Sequence, residues 1–223
     1  MSTFISPPRP TIVYPDSDGQ PMSDNTLQFK WIVTIEGGLD AAFIDDPTVF
    51  VAGDLLWYPV EGKPNIRAAP DAMVAIGRPK GYRGSYKQWA EGGIAPQVVF
   101  EVLSPGNRLS DLIRKFQFYE QYGVEEYYIY DPDKGVLEGW CRAGTHLEVV
   151  PEMVGFVSPL LKIRFEPGEG PDNLTIVGPD GEPFLTYTEL VKQRNAERNR
   201  AAEQAQRAER LAARLRELGI EPD

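Results

Sequence analysis

Residues 97–131 constrain the fold more tightly than any other stretch of this chain. Val98 to Leu103, VVFEVL, is short, apolar and ended by Ser104-Pro105-Gly106, the pattern of a buried strand. From Leu109 to Tyr122, apolar residues fall at 109, 112, 113, 116 and 119, a spacing that lays one helix face against a sheet. Asn107 or Ser110 is placed to cap that helix, and Gly123 to stop it. VEEYYIYDPDKG then reads as a strand entering a turn. Strand, helix, strand in that order form a crossover unit with parallel strands and a right-handed connection. The fold class is therefore α/β.

The rest of the chain is organised around that unit. Residues 1–23, rich in Pro, Ser and Asp, read as an irregular arm, and residues 24–181 as one α/β domain. Ser23 or Asp24 is placed to cap a helix through TLQFKWIVTIEGGLDAAF, with Gly37-Gly38 as its potential break. TVFVAGDLLWYPVEG reads as one or two strands, and Ala72 to Ile76 as a short apolar strand with Asp71 at its start. Four glycines between 78 and 95 indicate a long loop with, at most, a short helical piece. LEGWCRAGTHLEVV reads as a hairpin around Ala143-Gly144, LLKIRF as a last strand, FEPGEGPDN as loop and LTIVGPDGEPFLTY as a small hairpin. Residues 182–223 are an Ala/Glu/Arg-rich extended helix. There Ala201, Ala208, Leu211, Leu215 and Leu218 share a side, but Arg194, Glu197 and Gln204 continue it, so a coiled coil and a solvated helix held by ion pairs both remain open.

Composition narrows the chemistry. Cys141 is the one cysteine and His146 the one histidine, which excludes a disulfide within the chain, cysteine-clustered zinc and multi-imidazole metal centres. It also disfavours serine or cysteine hydrolysis, which needs a histidine base. Metal chemistry would have to run on oxygen ligands, which suit Mg²⁺ or Mn²⁺. No run approaches the ~20 apolar residues of a membrane span, and the first residues lack the pattern of a signal peptide, so the expected location is cytoplasmic. Residues 182–223 carry eight acids and eight bases, which leaves the whole net charge of −10 on residues 1–181. That surface argues against tight nonspecific nucleic-acid binding. Local contact stays open through Arg78, Lys80, Arg83 and Lys87, because residues 78–90 contain no acid.

Glu101 is the anomaly in its strand, since a buried carboxylate costs several kcal/mol unless it is paired, hydrogen-bonded or bound to metal. A structural ion pair is the plainer account of it. Asp71 after Pro70 is equally a common turn acid, and Lys115 a helix lysine of the kind that is usually solvated.

Taken together, PDAMVAIG followed by PQVVFEVLSPGNRLSDLIRKFQFYEQYGVEEYYIYDPDKG resembles the PD-(D/E)xK nuclease superfamily. Within it, the chain is similar over residues 24–165 to the Uma-type restriction endonuclease family abundant in cyanobacteria. The resemblance implies a restriction-endonuclease-like mixed central sheet flanked by helices. It further implies that Asp71, Glu101 and the backbone carbonyl of Val102 hold Mg²⁺ or Mn²⁺, which lowers the pKa of water and neutralises charge on a scissile phosphate. The superfamily's strand lysine is replaced by Leu103, and the matching family residue is Lys115, whose stem can lie along the sheet while its head reaches the strand end.

Secondary candidates are Glu36 on the first helix, Asp54 before LLWY, Asp111 as a partner for Arg108 or Lys115, and Gln117 with Tyr119 to orient the lysine. Each has a plainer reading, as surface charge, strand start or core. His146 reads as a surface residue. The expected activity is metal-dependent endonucleolytic hydrolysis of DNA, by a homodimer if both strands are cut, with the terminal helix offering a partner surface. A catalytically silent nuclease fold used for binding or assembly, and a metal-dependent hydrolase of small phosphorylated substrates, are the alternatives.

Overall fold

The computed structural model describes residues 12–17, 19 and 21–217. The chain divides into two units, 1–184 and 185–223. The first is a mixed six-stranded sheet with a helix on each face. Its order is β1 (Val49–Ala52), β3 (Ala72–Ile76), β5 (Val98–Val102), β6 (Glu126–Asp131), β7 (Val136–Ala143), β8 (His146–Val149), with β2 (Trp57–Tyr58) and β4 (Tyr86–Lys87) forming a separate two-residue parallel pair. The parallel pair β5 and β6 is joined through α2 (Leu109–Tyr122), the crossover expected from sequence, and its neighbours pair antiparallel. β9 (Arg164–Pro167) and β10 (Leu174–Val177) form a second small antiparallel ribbon. The strand in β9 thus takes in the FEP of the segment expected to be loop, and β10 pairs back to it as well as touching Pro183 through a single bridge.

Residue alternation sorts the core into two layers. Ala72, Val74, Val98, Phe100 and Val102 face α1 (Thr26–Ala42), packing on Trp31, Ile32, Ile35 and Leu39. Met73, Ala75, Val99, Tyr127 and Ile129 form the other layer with Tyr119, Trp57 and Tyr86. Each of these fully buried large side chains contributes on the order of 1.5–3 kcal/mol.

Local details depart from the sequence reading for identifiable reasons. The cap of α1 is Asn25, not Ser23 or Asp24: its side chain accepts from the backbone N–H of Leu27 (3.0 Å) and Gln28 (2.8 Å), while Asp24 is engaged elsewhere. The helix also runs unbroken through Gly37-Gly38. Gly38 is a packing residue, since a Cβ there would lie 2.2 Å from the Phe184 ring. Neither Asn107 nor Ser110 caps α2; the cap is Arg108 with no side-chain bond, because Asn107 accepts from the Ser104 N–H at 2.6 Å. Gly123 stops α2 as expected, in the left-handed conformation (φ 99°). The buried face of α2 is rotated from the expected stripe: Leu109 and Ile113 are exposed, and Lys115, Phe116 and Tyr119 turn inward.

The second unit contains α3 (Tyr187–Glu217), in which no residue is buried. Leu218, part of its apolar register, lies outside the described residues, as does most of the N-terminal arm. No helix among the described residues is long and apolar enough to cross a membrane.

Candidate active site at the end of strands β3 and β5

The register of β3 on β5 pairs Ala72 with Phe100, Met73 with Val99 and Val74 with Val98. Continuing it by one position sets Asp71 opposite Glu101. By alternation both belong to the face covered by α2, where directly opposed like charges repel. The next position in register would set Pro70 opposite Val102. Proline has no N–H to give, and the Pro70 carbonyl accepts instead from Asp54 N–H at 3.1 Å. The ladder therefore ends there, and side chains take over the Val102 peptide. Its N–H donates to Asp71 Oδ2 at 2.6 Å, and its carbonyl accepts from Gln28 Nε2 at 2.8 Å.

Glu101 is only 4% exposed, and both of its oxygens are held from α2. Lys115 Nζ donates to Oε2 at 2.6 Å and the Tyr119 hydroxyl to Oε1 at 2.5 Å. The two donors are four residues apart, hence on one helix face. Burial and the Glu101 charge push Asp71 well above the usual carboxylate range, and Lys115 and the Val102 N–H only partly offset them. For Lys115, burial pulls the pKa down, but Glu101 and Asp71 outweigh it and the net direction is up. The side chain at 115 is thus a firm ammonium, with a third of its surface open to solvent. Burial, then Glu101, raises Tyr119 well above its ordinary value and keeps its hydroxyl a donor.

Two secondary candidates lie close by. Asp54, held with φ +46°, acts electrostatically on both Asp71 and Lys115. Glu36 reaches the same edge from α1: a Cβ on Gly53 would lie 3.3 Å from both Glu36 Cγ and the Asp71 carbonyl. Burial, then Asp40, raises the Glu36 pKa.

Other candidates go elsewhere. Asp111 faces Arg114 at 3.5 Å, not Arg108 or Lys115, and Gln117 is exposed beside Gln121, Arg142 and His146. His146 is exposed and pairs with Glu120 at 2.8 Å. The basic stretch is largely spoken for. Arg78 and Arg83 both grip Glu91 (3.0 and 2.7 Å), Lys80 pairs with Asp40 (2.8 Å), and Lys87 lies over the Tyr14 ring. Glu91, one residue beyond the acid-free stretch, takes up two of its four bases.

Sequence reasoning treated Tyr119 as core or support and passed over Gln28. The spacing of Tyr119 from Lys115 carried a signal for the first; nothing in the sequence pairs Gln28 with position 102.

Among the described residues, no three carboxylate, imidazole or thiol side chains converge closely enough to ligate one ion. Two carboxylates and a peptide carbonyl make an oxygen-only donor set. That fits Mg²⁺ or Mn²⁺, which take one or two carboxylates and complete their shell with water and substrate oxygens.

Among curated proteins, none matches the sequence. A crystal structure of a "putative nuclease belonging to DUF820" from Anabaena variabilis ATCC 29413 is similar at 15% identity and a TM-score of 0.45, covering 61% of this chain and 73% of that one. That likeness is too slight to add to the fold described above. The family Uma2, described as "Putative restriction endonuclease", matches residues 30–161, which hold Gly53, Asp71, Glu101, Lys115 and Tyr119. With well over half of its length matched, the chain belongs to the Uma2 family.

Proposed function

We propose that this protein is a Mg²⁺- or Mn²⁺-dependent nuclease that hydrolyses phosphodiester bonds in DNA. The observation that carries the reading is the pairing of two carboxylates, Asp71 and Glu101, at one strand end with the Lys115 ammonium 2.6 Å from Glu101. Membership of a family described as restriction endonucleases supports the same chemistry.

Asp71, Glu101 and the Val102 carbonyl would hold the cation. When bound, it would polarise the phosphate and lower the pKa of the attacking water. The chain's own groups have separable roles. Tyr119 fixes one oxygen of Glu101 and the Val102 N–H fixes one oxygen of Asp71, so the free lone pairs have defined directions. Lys115, held protonated, is suited to stabilise negative charge on the phosphate rather than to accept a proton.

The test is incubation of purified protein with supercoiled, linear and single-stranded DNA and Mn²⁺, alongside a chelator control and the Asp71→Ala and Glu101→Ala variants. Cleavage lost with chelator and in both variants is expected. No cleavage of any DNA form, or cleavage that survives both substitutions, overturns the proposal.

A second reading is a catalytically silent nuclease fold used for binding or assembly. It is favoured by the engagement of Arg78, Arg83 and Lys80 with Glu91 and Asp40, which takes up three of the four bases this stretch of an acidic body could offer a DNA backbone. It predicts binding of nucleic acid or a partner that is unchanged in Glu101→Ala.

A further inference from the structure

Gln28 is one of few polar side chains buried in the α1 layer, at 6% exposure, and no step described above uses it beyond its hydrogen bond. Its position follows from the proline. Val102 lies at the point in register where Pro70 would have to donate to its carbonyl and cannot. Gln28 Nε2 supplies the missing donor at 2.8 Å, and a single hydrogen bond occupies one of the two lone pairs of that carbonyl. The carboxamide is itself held: Gln28 Oε1 accepts from the Asp24 N–H at 2.8 Å, and Asp24 Oδ2 accepts from Ser104 Oγ at 2.6 Å, two residues beyond Val102. The amide orientation is thereby fixed from both ends. The same Val102 peptide donates its N–H to Asp71 at 2.6 Å, so whatever sets the peptide plane also sets the carboxylate.

We propose that Gln28 is the positioning residue of the site: by clamping the Val102 carbonyl through one lone pair, it aims the other lone pair and the Asp71 carboxylate at a shared divalent cation. This inference rests on the metal-dependent reading above. A cation on the second lone pair of that carbonyl draws electron density from the oxygen that accepts from Gln28, so the amide responds to the ion without touching it.

The experiment measures Mn²⁺ binding to the full chain by calorimetry for the wild type, Gln28→Met, Thr34→Val and Glu101→Gln. Gln28→Met preserves length and volume and removes both hydrogen bonds; its Mn²⁺ affinity is expected to fall about 10-fold or more, the usual scale for an outer-shell partner. Thr34→Val, which removes a part-buried bond from the buried Thr34 to the Lys30 carbonyl on the same helix (2.7 Å), should lower Tm with Mn²⁺ affinity unchanged. A merely structural Gln28 would behave like Thr34. Wild-type affinity in Gln28→Met, with binding abolished in Glu101→Gln, overturns the role of Gln28 alone. No Mn²⁺ binding by the wild type, or full binding by Glu101→Gln, overturns the metal-dependent reading and this inference with it. Should Gln28→Met fail to fold, the side-chain amide resonances of Gln28 in ¹⁵N-labelled wild type decide the point. They are expected to shift on addition of Mg²⁺, and resonances that stay put while the backbone amides of Asp71 and Glu101 move overturn the proposal.

Discussion

Two glutamates are buried in adjacent parallel strands, and they solve the cost of burial in opposite ways. Glu126, 2% exposed at the start of β6, is surrounded by neutral donors: the Tyr128 hydroxyl at 2.8 Å, Ser158 Oγ at 2.5 Å and the Leu160 N–H at 2.7 Å. Those donors tie the 158–160 turn to the sheet, so the carboxylate is a structural clasp. Glu101, at the end of β5, is held by an ammonium and a phenol and stands opposite a second acid, Asp71, whose pKa is driven upward. A buried acid satisfied by neutral groups has its burial cost offset where it stands. A buried pair of acids beside one ammonium is strained as it stands and gains most from an added cation.

The contrast breaks most visibly in activity. Lys115→Met is expected to slow single-turnover cleavage on the order of 10²–10³-fold, as for the loss of one charge-stabilising group. Glu126→Gln should leave the rate per folded molecule unchanged, with the folded fraction read by circular dichroism; an equal loss in both would erase the distinction.

Stability should reverse the ranking. Glu126→Ala strands three donors, two of them in buried bonds, and a cost of about 3 kcal/mol is expected, or a Tm lowered by roughly 6–12 °C in a thermal melt. A melt within a degree or two of wild type would demote the clasp to an ordinary contact.

The smallest effect sharpens the electrostatic half of the comparison. In chelator, the raised pKa of native Asp71 lets it keep its proton to higher pH than the unfolded chain does. Its contribution to stability is present in full below the ordinary carboxylate range and is lost as pH rises through the raised value. Asp71→Asn removes that loss, so the variant should melt slightly above wild type at pH 7, with the gap closing toward pH 4. A variant that melts below wild type at both pH values would show that Asp71 is not under strain.

Glu101 was conspicuous in VVFEVL because one acid interrupts an apolar run, whereas Glu126 was hidden beside Glu125. Of that adjacent pair, one is half-exposed near Arg142 and the other is buried, a choice made by where Ser158 folds back. Lys115 was found through its family position, but the rotation of α2 that turns it inward, leaving Leu109 and Ile113 in solvent, was not readable from the apolar stripe. Apolar spacing reports which residues can share a face, and the packing angle selects which of them are covered.

By itself, the sequence determined the local order of elements: the apolar run at 98–103, the periodic helix after it, the glycine that ends the helix and the parallel return strand. Those depend on side-chain periodicity and backbone propensity within a few residues, which any chain carries in one dimension. Tertiary structure alone decided that Asp71 meets Glu101 across the β3–β5 ladder, that Glu91 pairs with Arg78 and Arg83, and that Gln28 answers for the N–H that Pro70 lacks. Each of these depends on strand register or on contacts between residues far apart in the chain, and a shift of one position in pairing would have turned the acids to opposite faces.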